Sequence, residues 1–193
     1  MKDIKTIILG LGACTVLFSC SDFDEVNTSP ITATIEYVKP QFALNNAIAQ
    51  AKMDPGVSER IVVYNWGSAA RVIGEMSFLN VGRYTDDYTS SYYYPCISNS
   101  IKNATLAINT AEQQVASGTA TVHEKKFFPN VKQFARIWRA YLISEFTDNF
   151  GPYAIDGFLG ENPEFDSEKD VYAFILKELK EASEAIDTSV EAE

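Results

Sequence analysis

Histidine and cysteine are scarce in this chain, at one and three among 193 residues. That scarcity removes most metal-ligand sets and most disulfide frameworks from consideration. The lone His123 lies in a polar stretch between two periodic segments, with no metal-ligand partner close by in sequence. No G-x-S-x-G, H-E-x-x-H or P-loop motif occurs, and nothing calls for a cofactor. No basic run occurs either: 16 Lys and Arg face 26 Asp and Glu, a formal charge of −10 and a pI near 4.6. Nucleic acid, whose phosphates demand clustered cations, is therefore excluded as a partner. Also missing are an apolar run long enough to span a bilayer and any convincing alternation of strand residues. What remains is 46% hydrophobic and 12% aromatic, enough to bury a sizeable core.

The N-terminus carries the most information. Met1 to Lys5 is a short basic head, and Thr6 to Phe18 is an uncharged, mostly apolar run. At ~13 residues that run is too short for a bilayer of about 30 Å but fits the apolar region of a signal peptide. Leu17-Phe18-Ser19-Cys20 follows and resembles the lipobox of bacterial lipoproteins, which implies acylation of Cys20 as the new N-terminus. The alternative is a hydrophobic N-terminal strand or helix with an incidental cysteine. Residues 1–19 are read as the leader, and 20–35, rich in Asp, Ser, Thr and Asn, as a flexible tether. The acidic residues behind Cys20 resemble surface-export signals, or form a plain solvated linker. Loss of the leader takes away Cys14 along with Lys2, Asp3 and Lys5. Cys96 is then the only thiol beside the lipidated one, expected as a small packed residue.

From residue 36 to 193 the pattern is helical. Ile97, Ile101, Ala104, Ile108, Ala111 and Val115 recur at helical spacing and predict a helix that stops near Gly118. Phe134, Ala135, Trp138, Tyr141, Leu142 and Phe146 predict a buried stripe on a second helix, with Pro129 in its opening turn. Val171, Ile175, Leu179, Ala182 and Ile186 mark a third, which Ser167 and Asp170 cap. Less regular helices are expected over about 36–52 and 58–79, with Trp66 in a core stripe beside Val62, Ala69 and Ile73. The expected fold is all-α, an irregular tetratricopeptide-like superhelix or an ordinary helical bundle; no strict repeat separates the two.

Three stretches together resemble one family. "FARIWRAYLISEFTDNFGPYAI" (134–155) and "FDSEKDVYAFILKELKEASEAI" (165–186), with the lipobox start, are similar to the SusD/RagB-like nutrient-binding lipoproteins. The marks are Ala135-Arg136, Arg139-Ala140-Tyr141, Asp148 and Phe150-Gly151-Pro152, then Asp166, Val171-Tyr172, Ile175-Leu176, Glu178-Leu179 and Ala182. The loop "NFGPYAIDGF" departs from the usual spacing of Pro and Tyr. The resemblance covers the N-terminal portion of the family's usual length, so a fragment, a truncated product or a reduced relative is expected. It implies a non-catalytic, lipid-anchored protein at the outer face of the outer membrane. Such proteins bind a glycan, or a peptide in RagB-type members, over a SusC-like TonB-dependent transporter. It also implies that Arg136 and Arg139 brace the acidic turn after them, with Glu145 and Asp148 as partners.

The candidate ligand region is "FLNVGRYTDDYTSSYYY" (78–94). Tyr84, Tyr88, Tyr92, Tyr93 and Tyr94 are interleaved with Asn80, Arg83, Asp86 and Asp87. Phenol rings offer a flat apolar face and a polar tip, which matches the two aspects of a sugar ring. Tyr92 to Tyr94 also directly precede a helix, where they serve equally well to staple its entry into the core. Asp86-Asp87 contributes to a calcium site in one reading and to a solvated turn in the other. A glycosidase needs only two carboxylates, but a helical barrel of sufficient size does not fit this chain, and no enzyme is expected. The other rival is a lipid-anchored helical-repeat scaffold that docks a partner without binding a ligand.

Overall fold

A computed structural model describes residues 38–52, 55–58, 66–67, 70, 93–157 and 164–190. All of them fall within one compact unit, Val38–Glu193. Its elements are α1 (Pro40–Gln50), a single turn α2 (Pro55–Ser58), α3 (Tyr94–Ser117), α4 (Glu124–Phe150) and α5 (Glu168–Glu184). Among the described residues the secondary structure is helical, apart from an isolated antiparallel bridge between Tyr153 and Asp166. The all-α expectation holds.

Local chemistry sets each boundary. Pro40 forces extended backbone on the residue before it, so Lys39 (φ −79°, ψ 139°) closes off any earlier start for α1. Gly118 ends α3 in the left-handed region (φ 76°), where a glycine carries no Cβ penalty. Gly151 ends α4 at φ 84°, ψ −137°, a conformation open in practice only to glycine. Ser167 caps α5 by accepting from the Asp170 amide at 3.3 Å, as its sequence predicts. The start of α4 differs from expectation, because Pro129 lies inside the helix rather than in its first turn. Thr121 and Glu124 form the cap instead: the Glu124 carboxylate accepts from the Thr121 amide at 2.8 Å, and Thr121 Oγ1 accepts from the Glu124 amide at 3.2 Å.

Helix α3 runs antiparallel to both α1 and α4, and α5 runs antiparallel to α4. Lys132 pairs with Glu112, whereas Tyr93 meets Glu145 and Asn149, so α4 runs back along α3. Gln114 reaches the Val38 carbonyl while Ser100 reaches that of Ala47, so α1 opposes α3 as well. Small residues on α3 (Ser100, Ala104, Ala107 and Ala111) let its neighbours approach closely. One cluster joins Tyr93, Ile97, Ile101, Leu142, Ile143, Phe146, Val171 and Ile175; a second joins Ala43, Leu44, Ile108, Val131 and Ala135. Each large aliphatic side chain so buried contributes about 1.5–3 kcal/mol.

Helix α4 touches α1, α3 and α5, and this changes which of its residues are interior. Phe128, Val131, Ala140 and Ile143 are buried beside the expected Ala135, Leu142 and Phe146. Phe134 and Tyr141, expected in the core, are 49% and 47% exposed. A helix with three neighbours buries several faces, and the single-stripe rule fails for it.

Between α4 and α5 lies a largely buried ion cluster. Arg136 donates to Glu178 through Nε (3.1 Å) and Nη2 (2.7 Å), and further to Gln133 and Glu181. Arg139 donates to the same Glu178 at 3.1 Å and lies over the Phe174 ring. The expected partners, Glu145 and Asp148, bind elsewhere: Glu145 accepts from Tyr93 and Asp148 from Tyr172. The cause is geometric, because Arg136 and Arg139 share the α4 face that packs on α5. Burial pushes the Glu178 carboxyl up, but hydrogen bonds and charge from Arg136 and then Arg139 outweigh it and hold it below 4.5. At the N-terminus of α4 a hydrogen bond from Lys39, with help from the Thr121 amide, holds Glu124 at about 2.

A carboxyl depressed in the folded state stabilises it above the unfolded value and loses that contribution as pH falls. Urea midpoints are therefore expected to stay level from neutral pH down to about 5 and to drop below about 4.5, with a shallower drop in Glu178→Gln. Glu178→Ala strips Arg139 of its anion and leaves Arg136 to the half-exposed Glu181, and equilibrium unfolding is expected to show a loss of about 3–5 kcal/mol.

Candidate functional site

The tyrosine-rich tract meets the helical body at Tyr93 and Tyr94; Asn80, Arg83, Tyr84, Asp86, Asp87, Tyr88 and Tyr92 lie outside the described residues. Tyr93 is 2% exposed. Its hydroxyl donates to Glu145 Oε2 at 3.4 Å and accepts from Asn149 Nδ2 at 3.1 Å. Its ring meets Trp66 edge-on at 5.6 Å and Phe150 at 5.8 Å. Burial, then the Glu145 charge, pushes the phenol well above its usual range, so it stays a hydrogen-bond donor at every physiological pH. Tyr93 thus staples the entry of α3. Tyr94 differs: it is 45% exposed and leans on Phe146 and Phe150, both at 5.4 Å.

Beneath Tyr93 opens a cavity of about 460 Å3 bounded by α1, α3 and α4. Trp66, Tyr93, Trp138 and Tyr141 bring aromatic surface to it, and Ile48, Ile97 and Leu142 complete the apolar wall. Lys52 and Glu145 supply the charges. Trp138 and Tyr141 lie 5.2 Å apart at 37°. The Trp138 indole Nε1 is buried and has no hydrogen-bond partner among the described residues. On α4 these side chains follow one another at Trp138, Tyr141 and Glu145, steps of three and four that put them on one face. The sequence reading assigns both tryptophans to the core. They do pack against it, but each also presents surface to this space. A smaller cleft of about 220 Å3 lies by Tyr94, Lys102, Tyr153 and Phe165.

The reactive side chains elsewhere are occupied. Cys96 Sγ donates to the Gln50 carbonyl at 2.8 Å, and burial pushes the thiol up, away from the nucleophilic thiolate. His123 stacks on Phe127 at the α4 entrance. Among the described residues no three His, Cys, Asp or Glu side chains gather as a metal site. Aromatic walls with a few polar groups can bind and orient a ligand.

A SusD-like family described as "Starch-binding associating with outer membrane" matches residues 32–193. The chain belongs to this SusD-like family of glycan-binding, outer-membrane-associated proteins. No curated protein and no solved structure matches it.

Tyr93→Phe removes the phenol link to Glu145 and Asn149 while keeping the ring, and denaturant unfolding is expected to show a loss of about 1 kcal/mol. Tyr93→Ala also empties the core beside Trp66 and Phe150, and the same measurement is expected to show about 3–5 kcal/mol.

Proposed function

We propose that this chain is a cell-surface lipoprotein that captures polysaccharide or oligosaccharide and hands it to a SusC-like, TonB-dependent transporter. The observation that carries this reading is the SusD-like match over residues 32–193, a family named for starch binding at the outer membrane. The N-terminal sequence supports the mode of attachment. A basic head, an apolar run and Leu17-Phe18-Ser19-Cys20 are the elements from which bacteria build a diacylated cysteine. No helix among the described residues is long and apolar enough to cross a membrane. In this reading Cys20 provides the anchor, and residues 20–35 hold the helical body off the lipid surface. A single acyl chain binds membranes marginally, which is why lipoprotein anchoring needs more than one.

The ligand surface in this reading is the tyrosine-rich tract. Tyr84, Tyr88 and Tyr92 offer apolar faces, and Asn80, Arg83, Asp86 and Asp87 offer the donors and acceptors that a sugar's hydroxyl edge requires. Its C-terminal end is fixed by Tyr93, whose buried ring and hydroxyl tie it to α4. A tract anchored this way loses less conformational freedom on binding than a free one.

Mass spectrometry of native material is expected to find a mature chain beginning at an acylated Cys20, and Cys20→Ser to leave the leader uncleaved. A Tyr84→Ala, Tyr88→Ala double variant is expected to lose at least tenfold in glycan-array signal while still co-purifying with the barrel transporter. Unchanged capture by that variant removes the tract from the site. Retention of peptides in place of glycans moves the chain to the peptide-binding branch.

A further inference from the structure

We propose that the cavity beneath Tyr93 is a second sugar site, taking one hexopyranose ring against the indoles of Trp66 and Trp138. This rests on the glycan-binding reading above but places a contact where that reading assigns none. The space of about 460 Å3 falls in the usual range for small-molecule pockets. It equals roughly fifteen liquid-water volumes, enough for the dozen non-hydrogen atoms of a hexose.

The polar groups select the occupant. The Trp138 indole N–H is buried without a partner among the described residues, and Lys52 and Glu145 border the same space. An aliphatic occupant leaves the buried indole N–H without an acceptor and adds nothing to the half-buried Glu145 or to Lys52. An anion meets Glu145 and a chain of formal charge −10. A neutral polyol suits all three, because each hydroxyl both donates and accepts. Hydroxyls accept from the indole N–H and from Lys52, and donate to Glu145. Glu145 keeps capacity for this: Tyr93 donates to its Oε2 at 3.4 Å and Tyr141 also hydrogen-bonds to it, but a carboxylate has about four acceptor positions. The C–H faces of a pyranose then meet the aromatic walls, with the half-exposed Tyr141 at the rim.

The chain contains two tryptophans, and both line this cavity, so selectively excited tryptophan emission reports on this place. The full chain, held in a detergent without a sugar headgroup, is titrated with glucose, galactose, mannose and maltose. A saturable change in emission is expected for at least one of them. Trp138→Phe keeps a ring but removes the N–H, and Tyr141→Ala trims an exposed wall without opening the core. Each is expected to weaken the response at least tenfold with an unchanged circular dichroism spectrum. If Trp138→Phe fails to fold, Tyr141→Ala carries the test. Retention on insoluble starch and a panel of other polysaccharides, measured in parallel, reads glycan binding by any route. Retention with no tryptophan response, or a response untouched by the variants, overturns the cavity assignment and leaves the proposed function standing. Neither retention nor response with any glycan overturns both.

Discussion

A buried carboxylate gripped by two guanidiniums fixes the middle of this molecule. Charges taken out of water are costly, and the cost is offset only when partners sit at hydrogen-bond distance in good geometry. Glu178 meets that condition, with Arg136 at 2.7 Å and 3.1 Å and Arg139 at 3.1 Å. Few relative placements of α4 and α5 satisfy those contacts at once. The pairing therefore sets register as well as contact. Links further along the same seam agree with it: Asn130 with Asp187 at one end, Tyr172 with Asp148 and Tyr153 with Asp166 at the other. Because α4 also packs on α1 and α3, its placement is passed to the whole helical body.

The same helix builds the aromatic cavity. A step of two residues along an α-helix turns the side chain by roughly 200°. Arg136 and Arg139 face α5, and Trp138 and Tyr141, two positions on, face away toward the cavity. One rigid rod thus carries ionic fixation on one side and ring surfaces on the other. Tyr93 couples this wall to α3 through Glu145 and Asn149. A recognition surface held by packed helices changes little on binding, which lowers the entropy cost of capturing a weak, hydroxyl-rich ligand. The family to which the chain belongs is named for such a ligand.

Much of this fold is legible in the residues, and the illegible parts have physical reasons. The stripe Ile97, Ile101, Ala104, Ile108, Ala111 and Val115 has one inward face, and the structure buries the first five and half-buries Val115. Gly118 and the Ser167–Asp170 cap act through local chemistry and are equally readable. Glu178 is not, because a carboxylate inside an amphipathic helix looks solvated until the arginines of another helix are placed beside it. The opening of α4 carried a signal, the T-x-x-E of Thr121 and Glu124, which the more conspicuous Pro129 masked. On α4, periodicity selected Phe134 and Tyr141 for the core, but three neighbours draw on different faces and leave these two half-exposed. As for the site, sequence can show that Trp138, Tyr141 and Glu145 share a face. It cannot show that Trp66 and Lys52 from other segments meet them across an open space.

Native-state hydrogen exchange resolved to single helices tests most directly whether the Glu178 cluster unites this body. If it does, the amides of α4 and α5 around residues 131–147 and 171–182 are the slowest and open together, with a common free energy equal to that of global unfolding. An α5 that exchanges orders of magnitude faster than α4 in the unaltered protein contradicts the account, since the two helices would then not be held as one.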